Sequence, residues 1–280
     1  MEFIEILKAA LIGIVQGITE WLPVSSTGHM IIANEFIKLN ISDECWNLFE
    51  VITQLGSILA VIILFFDKLN PWSKNKAPEL KKKTWSLWIK VIVAVLPAAV
   101  IGIILEDLLD TYLYNFITVA IALVVYGVLF IVIERLNKKR QIKYEDVYDI
   151  DYPTALKIGC FQVLSLIPGT SRSGSTILGA SVVKVSRTAA AEFSFFLAIP
   201  VMLGASLLKI TKFVAGGFSL NATEIGVLIV GTVVAFALSL FVIKLLMAFV
   251  KNHSFESFGW YRIALGVILI GYYIVRYVVM

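Results

Sequence analysis

The chain has 280 residues, of which 59% are hydrophobic and only 16% are charged. Soluble proteins carry roughly 25% charged residues, so this composition excludes an ordinary soluble domain. The net charge of +4 is small, and we expect no nucleic-acid partner. The two cysteines, Cys45 and Cys160, lie far apart and indicate neither a disulfide framework nor a metal site.

Six apolar segments are long enough to cross a bilayer, which takes about 20 apolar residues. They lie at about 48–66, 87–105, 115–134, 191–208, 225–248 and 260–279. A closed barrel, the other structure that can span a membrane, needs short alternating strands, and these segments lack that pattern. The sequence therefore predicts an all-α polytopic membrane protein with six transmembrane helices.

Charges between the segments predict which way the spans run. Lysines are concentrated in 68–83 and 135–143, whereas the loop predicted at 106–110 (EDLLD) is acidic. By the positive-inside rule, the two lysine-rich loops are cytoplasmic and the acidic loop is outside. The first span then runs inward, and the N-terminal region begins outside.

Two further apolar regions are interrupted by proline and are too short to be simple spans. In the first, a helix precedes Pro23 and a short arm follows over 27–37. In the second, the segment 155–167 precedes Pro168, and the short run 176–185 follows. Apolar runs of roughly 10–14 residues fit re-entrant segments better than crossings. We therefore predict two re-entrant helical hairpins.

The two interrupted regions share a sequence pattern at a constant offset. The matching residues, each 146 positions apart, are Gly13 and Gly159, Gln16 and Gln162, and the stretches 25–28 (SSTG) and 171–174 (SRSG). Glu50 and Glu192 open the next span in each half. Three spans follow each hairpin, and this odd number inverts the second half, as in inverted-topology repeats. We predict one membrane domain with halves at about 1–145 and 146–280; a chance likeness between two Ser/Gly-rich turns is the alternative.

The second break, 168–176 (PGTSRSGST), has the composition of an anion-binding loop. Gly169 and Gly174 let the backbone approach a ligand closely. Arg172 adds a planar guanidinium suited to phosphate, and the N–H groups of a helix start can face an anion. Further donors are available on Ser171, Ser173 and Thr176. A capped helix start with an interfacial arginine is the alternative interpretation.

The first break contains an acid, hydroxyls and an imidazole. Gln16 and Glu20 are four residues apart and therefore lie on one side of a helix. Ser26 and His29 follow within a short distance. An ionisable group at membrane depth costs about 2.5–3.5 kcal/mol on insertion scales and indicates a function. A cation from one hairpin and a nucleophile, base and carboxylate from the other fit phosphoryl transfer. Helix capping is the alternative role for Ser25, Thr27 and His29.

With these motifs the chain resembles the bacterial undecaprenyl diphosphate phosphatase family, which is known for conferring bacitracin resistance. The resemblance covers the whole chain. It rests on Gln16–Glu20 leading into 23–29 (PVSSTGH), and on 168–176 (PGTSRSGST). Many members carry Glu at the position of Gln16, so Glu20 has a larger share of the work here.

The resemblance implies hydrolysis of undecaprenyl diphosphate, a polyprenyl diphosphate lipid, to undecaprenyl phosphate and inorganic phosphate. It implies recycling of the lipid carrier for peptidoglycan synthesis, in the bacterial cytoplasmic membrane, by an active site that opens to the extracytoplasmic side. It also implies help from Mg²⁺ or Ca²⁺. The sequence shows no dedicated metal site, so we expect Glu20 and the phosphate oxygens of the substrate to bind such an ion. We expect no organic cofactor. Besides the lipid substrate and membrane lipid, a homodimer is the one partnership left open.

Our hypothesis assigns catalytic roles to four residues. Arg172 grips the diphosphate and stabilises its charge. Ser26 attacks the terminal phosphorus or orients a water that does so, with His29 as general base or as acid toward the departing oxygen. Glu20 orients His29 or a cation. The residues predicted to bind substrate beside them are Gln16, Ser25, Thr27, Gly169, Ser171, Ser173, Gly174 and Thr176.

A polyprenyl-phosphate transporter is the alternative function, because inverted repeats with broken helices are the usual construction of secondary transporters. Such a flippase would need the same anion site but no nucleophile beside a base, and 25–29 (SSTGH) offers one. A non-catalytic scaffold gives no reason to bury Glu20 and Arg172.

Overall fold

The computed structural model describes residues 2–113, 115–138 and 140–276. Over these residues the chain forms eleven α-helices and two short 3-10 helices, at Val147–Asp149 and Val163–Leu166. The α-helices are α1 Glu2–Thr19, α2 Ser26–Ile37, α3 Asp43–Leu64, α4 Phe66–Leu69, α5 Pro78–Tyr112, α6 Phe116–Asn137, α7 Tyr152–Gln162, α8 Arg172–Val182, α9 Arg187–Ala215, α10 Ala222–Asn252 and α11 Glu256–Ile274.

Six helices in the described part of the chain are long and apolar enough to cross a membrane. They are α3, α5 over Pro78–Leu105, α6, α9, α10 and α11. The predicted all-α polytopic fold and its six spans are therefore confirmed. Large apolar side chains such as Ile103, Leu207 and Ile268 are more than half exposed on the outside of the bundle, the position in which they would contact lipid.

The prediction of an acidic loop at 106–110 is wrong, because α5 continues through this segment to Tyr112. The charged residues end the apolar run in the sequence, but leucine and glutamate favour helix, so the helix extends beyond its apolar part. The side chains of Glu106, Asp107 and Asp110 lie outside the described residues, as does Lys139 of the second lysine-rich stretch.

Both predicted hairpins are present, α1–α2 as hairpin 1 and α7–α8 as hairpin 2. Each second helix begins in the same way, at a serine with positive φ: Ser25 has φ 76° and Ser171 has φ 73°. The Oγ of each accepts a hydrogen bond from a glycine N–H three residues later. Positive φ is uncommon outside glycine, so two such serine caps at matching positions support the predicted repeat.

Each hairpin packs against a span of the other predicted half, α1 against α10 and α7 against α5. In both contacts a glycine allows the two backbones to touch. A Cβ on Gly13 would lie 2.6 Å from the carbonyl oxygen of Gly231, and one on Gly159 would lie 2.2 Å from that of Ala94. Close contact between small residues is the usual means of helix association in lipid. The division near residue 145 stays a prediction, which these matching contacts support.

The core fixes the tip of hairpin 1 against α9. Phe193, Phe195 and Phe196 on α9 are fully buried and form part of the core. Trp21 packs edge-on against Phe195, with ring centroids 5.2 Å apart. Ser194 lies within the same stretch, so the core brings its hydroxyl close to both hairpin tips.

Candidate active site

The two hairpin tips meet at the carboxylate of Glu20, which is 4% exposed. Its Oε2 accepts hydrogen bonds from Ser26 Oγ at 2.7 Å and from Gln16 Nε2 at 2.9 Å. Its Oε1 lies 3.1 Å from Nη2 of Arg172. The predicted meeting of an acid and a hydroxyl from one hairpin with a guanidinium from the other is therefore present.

Arg172 is held on the opposite side by α9. Its Nη1 donates to the carbonyl oxygen of Ser194 at 2.8 Å, and Thr176 donates to the hydroxyl of Ser194 at 2.7 Å. The Nε of Arg172 is buried and bonds no residue that the structure describes. This nitrogen is a donor that an anion could use.

The remaining groups of the second break form structural bonds. Ser171 Oγ accepts from the Gly174 N–H at 3.1 Å, and Ser173 Oγ donates to the carbonyl oxygens of Glu20 and Leu22 at 3.3 and 3.2 Å. Ser171 therefore caps α8, and Ser173 joins the two tips. Gly169 has φ 91°, a conformation that glycine adopts without strain.

His29 bonds two groups other than Ser26. Its Nδ1 lies 2.7 Å from the carbonyl oxygen of Ser25, and its Nε2 lies 2.7 Å from the hydroxyl of Tyr261. Because a carbonyl only accepts, Nδ1 carries the proton, and in the neutral ring Nε2 accepts from Tyr261. The base closest to Ser26 is thus Glu20. Glu20 bonds Gln16, Ser26 and Arg172 rather than orienting His29.

The structure also shows where two more of the predicted residues, Ser25 and Thr27, lie. Ser25 caps α2 through its bond from the Gly28 N–H at 3.2 Å, the alternative role considered for it. Thr27, together with Gln16, lines a small cavity. Because Gln16 also donates to Glu20, this cavity adjoins the site on the side of hairpin 1.

Three residues of the site were missed in the sequence: Ser194, Tyr261 and Arg262. Arg262 is fully buried and donates to the carbonyl oxygen of Pro23 at 3.0 Å and to that of Gly169 at 2.8 Å. One guanidinium thus holds both breaks. The signal was available, because an arginine inside a predicted span indicates a function or a buried partner. Tyr261 and Ser194 carry no comparable signal.

The donors present do not fit a metal site built by the protein. Glu20 is the carboxylate of the site, and both of its oxygens already accept hydrogen bonds, one of them from a guanidinium. Among the described residues, no group of three or more His, Cys, Asp or Glu side chains could hold a metal ion. A cation at Glu20 would have to displace Arg172 or Ser26.

An apolar groove of about 750 Å³ approaches the site from the outside of the helix bundle. It lies between hairpin 1 and the helices α10 and α11, and its lining includes Leu22, Val24, Leu246, Phe249 and Tyr261. Since Tyr261 also bonds His29, the groove reaches the polar groups of the first break.

Comparison with known proteins gives a consistent result over the whole chain. A family model described as bacitracin resistance protein BacA matches residues 9–268. Among similar proteins, one from Enterococcus faecalis is 56% identical over 98% of this chain and 99% of its own. One from Acetivibrio thermocellus is 54% identical over 97% and 98%, and one from Desulfitobacterium hafniense is 50% identical over 100% of both. All three are named undecaprenyl-diphosphatase.

Proposed function

The chain belongs to the family of bacitracin resistance protein BacA, and we propose that its two hairpin tips form the active site at which it hydrolyses undecaprenyl diphosphate to undecaprenyl phosphate and inorganic phosphate. The observation that carries the assignment is the carboxylate of Glu20, shared by Ser26 and Arg172. Phosphoryl transfer depends chiefly on positioning and on stabilising negative charge, and this arrangement provides a nucleophile, a base and a cation for one headgroup.

In the first step, Ser26 Oγ attacks the terminal phosphorus of the diphosphate. An Oγ–P bond forms, the bond from phosphorus to the bridging oxygen breaks, and its electron pair leaves with undecaprenyl phosphate. The hydroxyl proton passes to Glu20, to which Ser26 already donates at 2.7 Å. Arg172 turns its unused donors to the phosphoryl oxygens and stabilises the charge that builds on them.

In the second step, a water molecule attacks the phosphoserine. The new P–O bond forms as the Oγ–P bond breaks, inorganic phosphate is released, and the oxygen of Ser26 regains a proton from Glu20. His29 acts on the leaving side: its protonated ring would supply a proton to the departing bridging oxygen in the first step, and the neutral ring would take up the proton that the attacking water loses in the second step. This assignment gives the base role to Glu20, which lies next to Ser26, and keeps the acid role for His29.

We further propose that the reaction takes place in the cytoplasmic membrane and recycles the lipid carrier of peptidoglycan synthesis, with the site open to the extracytoplasmic side. The distribution of lysines in 68–83 and 135–143 supports this orientation. Mg²⁺ or Ca²⁺ would enter with the diphosphate, whose oxygens would be its main ligands, because the protein offers one carboxylate that is already bonded. No step above depends on such an ion.

The apolar groove beside Tyr261 would hold the first isoprene units of the substrate. Filling it with Ala248→Trp, at an exposed position on its wall, is expected to raise the KM for prenyl diphosphates several-fold and to leave kcat close to wild type. Ala205→Trp is the matched control, because Ala205 is also exposed but lies on α9, away from the lining of the groove. Equal KM values for the two variants would remove the groove from the substrate site.

The deciding experiment is phosphate release from a short-chain prenyl diphosphate by protein purified in detergent, where no gradient can drive transport. Ser26→Ala is expected to abolish turnover, and rapid acid quench of the wild type should trap phosphoserine. Ser86→Ala, at a serine on α5 that is distant in sequence from both hairpin tips, is the control. Sustained hydrolysis by Ser26→Ala would reject the covalent step and make water the nucleophile. Absence of hydrolysis by the wild type would favour a lipid transporter.

A further inference from the structure

The cavity beside the catalytic groups leads away from the site toward α9. It has a volume of about 110 Å³, the space of a few water molecules. The side chains that line it are Gln16, Thr27, Met30, Glu50, Val51, Gln54 and Lys209. Gln16 bonds the catalytic carboxylate, and Lys209 is the cation at the far side. We call this space the site cavity.

A second cavity, of about 270 Å³, shares one lining residue, Lys209, with the first. Its lining residues are Glu44, Asn47, Leu48, Lys209, Lys212, Phe213 and Phe218. Lys209 lines both cavities and is therefore the residue at which they adjoin. This second space, the surface cavity, carries two lysines and one carboxylate, and its charge therefore favours a small anion.

Lys209 is held loosely at this position. Its Nζ lies 3.8 Å from Oε2 of Glu50, and its side chain is 41% exposed. The contact is longer than a charge-assisted hydrogen bond, which spans about 2.7–2.9 Å. A long, partly exposed lysine in such a pair can exchange one anionic partner for another at small cost.

A matching ion pair lies at the opposite end of the contact between α3 and α9, and its two charged groups are in direct contact. Lys68, just beyond α3, lies 2.6 Å from Glu192 near the start of α9. Glu50 and Glu192 lie near the starts of the corresponding spans, α3 and α9, of the two predicted halves, and Lys68 and Lys209 follow them at nearly equal distances in sequence. The two pairs thus lie at opposite ends of the α3–α9 contact, one tight and one loose.

We propose that Lys209 and Glu50 form the gate through which inorganic phosphate leaves the active site, with Lys209 as the transient ligand of that phosphate. The proposal rests on the proposed function, which supplies the phosphate. Phosphate would enter the site cavity past Gln16 and Thr27, draw Lys209 away from Glu50, and pass into the surface cavity. The tight pair Lys68–Glu192 closes the opposite end, so that release is directed to one side of the membrane.

The two members of the gate pair have opposite effects on a phosphate ion. Lys209 attracts it, whereas Glu50 repels it and competes for the lysine. Glu50→Gln should therefore strengthen phosphate binding and Lys209→Met should weaken it, each by roughly three- to tenfold. A purely structural ion pair makes a different prediction, because removing either partner breaks the same contact and both changes would act in the same direction.

The test measures the affinity of the purified full-length protein for radiolabelled inorganic phosphate by equilibrium dialysis, and phosphate inhibition of prenyl diphosphate hydrolysis in parallel. The matched controls are Lys68→Met and Glu192→Gln, which break the tight pair and are expected to leave phosphate affinity unchanged. The reversed pair, Glu50→Lys combined with Lys209→Glu, moves the cation to α3 and should restore affinity to within about threefold of wild type.

Opposite shifts in the two single variants, absent from the controls, support the gate. Shifts in the same direction, no shift, or an equal shift in the controls would overturn it. The dialysis measurement does not depend on catalysis. If the wild type does not hydrolyse prenyl diphosphate, but the two single variants still shift phosphate affinity in opposite directions, the proposed reaction is rejected and the phosphate route stands.

Discussion

Hairpin 1 and hairpin 2 have the same backbone at their turns and opposite chemistry. Ser25 and Ser171 cap the second helix of each hairpin in the same positive-φ conformation. One position further, hairpin 1 has Ser26 where hairpin 2 has Arg172. The turn is thus a shared device for starting a helix inside the membrane, and the residue after it decides whether the hairpin brings a nucleophile or a cation.

The residues that precede the turns differ in the same way. Glu20 in hairpin 1 corresponds to Leu166 in hairpin 2, so the two hairpin tips hold one carboxylate, and it bonds the guanidinium of Arg172. A buried ion pair with additional hydrogen bonds is tolerated, whereas either charge alone would be strongly unfavourable. Each hairpin therefore depends on the other for its charge balance, which ties folding of the site to assembly of the halves.

The largest effect is expected where the cation of hairpin 2 is weakened. Arg172→Lys keeps the charge but loses the planar fork that bonds Glu20 and Ser194 together. We expect kcat to fall roughly 10²- to 10³-fold, the scale for removing one transition-state donor. Initial rates of phosphate release measure it, with Arg135→Lys, at an exposed position on α6, as control. A kcat near wild type would place phosphate binding elsewhere.

The next effect concerns the residue that binds both hairpins. Arg262→Met leaves the carbonyl oxygens of Pro23 and Gly169 without a donor in a buried place. The free energy of unfolding should fall by about 2–4 kcal/mol, and kcat should fall about tenfold because the tips lose their alignment. Arg135→Met, which removes an exposed pair with Glu256, should cost less than about 1 kcal/mol.

Denaturant titration and initial rates measure the two effects of Arg262. Arg262→Lys can reach only one of the two carbonyls and should be intermediate in both. If stability falls while the kcat of the folded fraction stays unchanged, the residue serves folding alone and does not position the tips.

A smaller effect is expected at His29, for which hairpin 2 has no counterpart. Tyr261→Phe removes the hydroxyl bonded to Nε2 of His29 and should lower kcat roughly three- to tenfold. The pH profile of kcat should change at the limb that reports the histidine, because its ring loses a partner. Tyr152→Phe, which removes a distant hydroxyl, is the control. An unchanged profile would separate Tyr261 from the chemistry.

The smallest effect is expected at the glutamine of hairpin 2. Gln16 and Gln162 are matched in sequence, but Gln16 donates to Glu20, whereas neither amide atom of Gln162 bonds any residue that the structure describes. Gln162→Met should leave kcat unchanged and keep or raise the unfolding free energy by about 1 kcal/mol. Gln16→Met should lower kcat several-fold. Equal losses from the two substitutions would show that both hairpins use the amide.

The sequence predicted those helices whose boundaries are marked by a change between apolar and polar residues. Six apolar segments indicated six spans, and two proline breaks with matching Ser/Gly motifs indicated the hairpins. The segment 106–110 was wrong because charge ended the apolar run without ending the helix. In the site, Glu20, Ser26 and Arg172 could be named because each is polar at membrane depth.

The partners within the site could not be assigned in the same way. Glu20 was expected to orient His29, but the helix starts place its carboxylate against Ser26, and His29 turns to Tyr261. The contacts of Ser194 and Tyr261 depend on helices more than a hundred residues away from hairpin 1, which a local motif does not encode. Arg262 differs, since its charge within a span was visible and only its two carbonyl partners required the structure.

The glycine contacts at Gly13 and Gly159 have a mechanical consequence. Each lies seven residues before the matched positions Glu20 and Leu166, and each touches a neighbouring backbone with no room for even a methyl group. The stems of both hairpins are thereby clamped to their neighbours. Any displacement that accompanies turnover therefore cannot come from the stems and has to act on the contacts of the tips, which Trp21, Ser173 and Arg262 hold together.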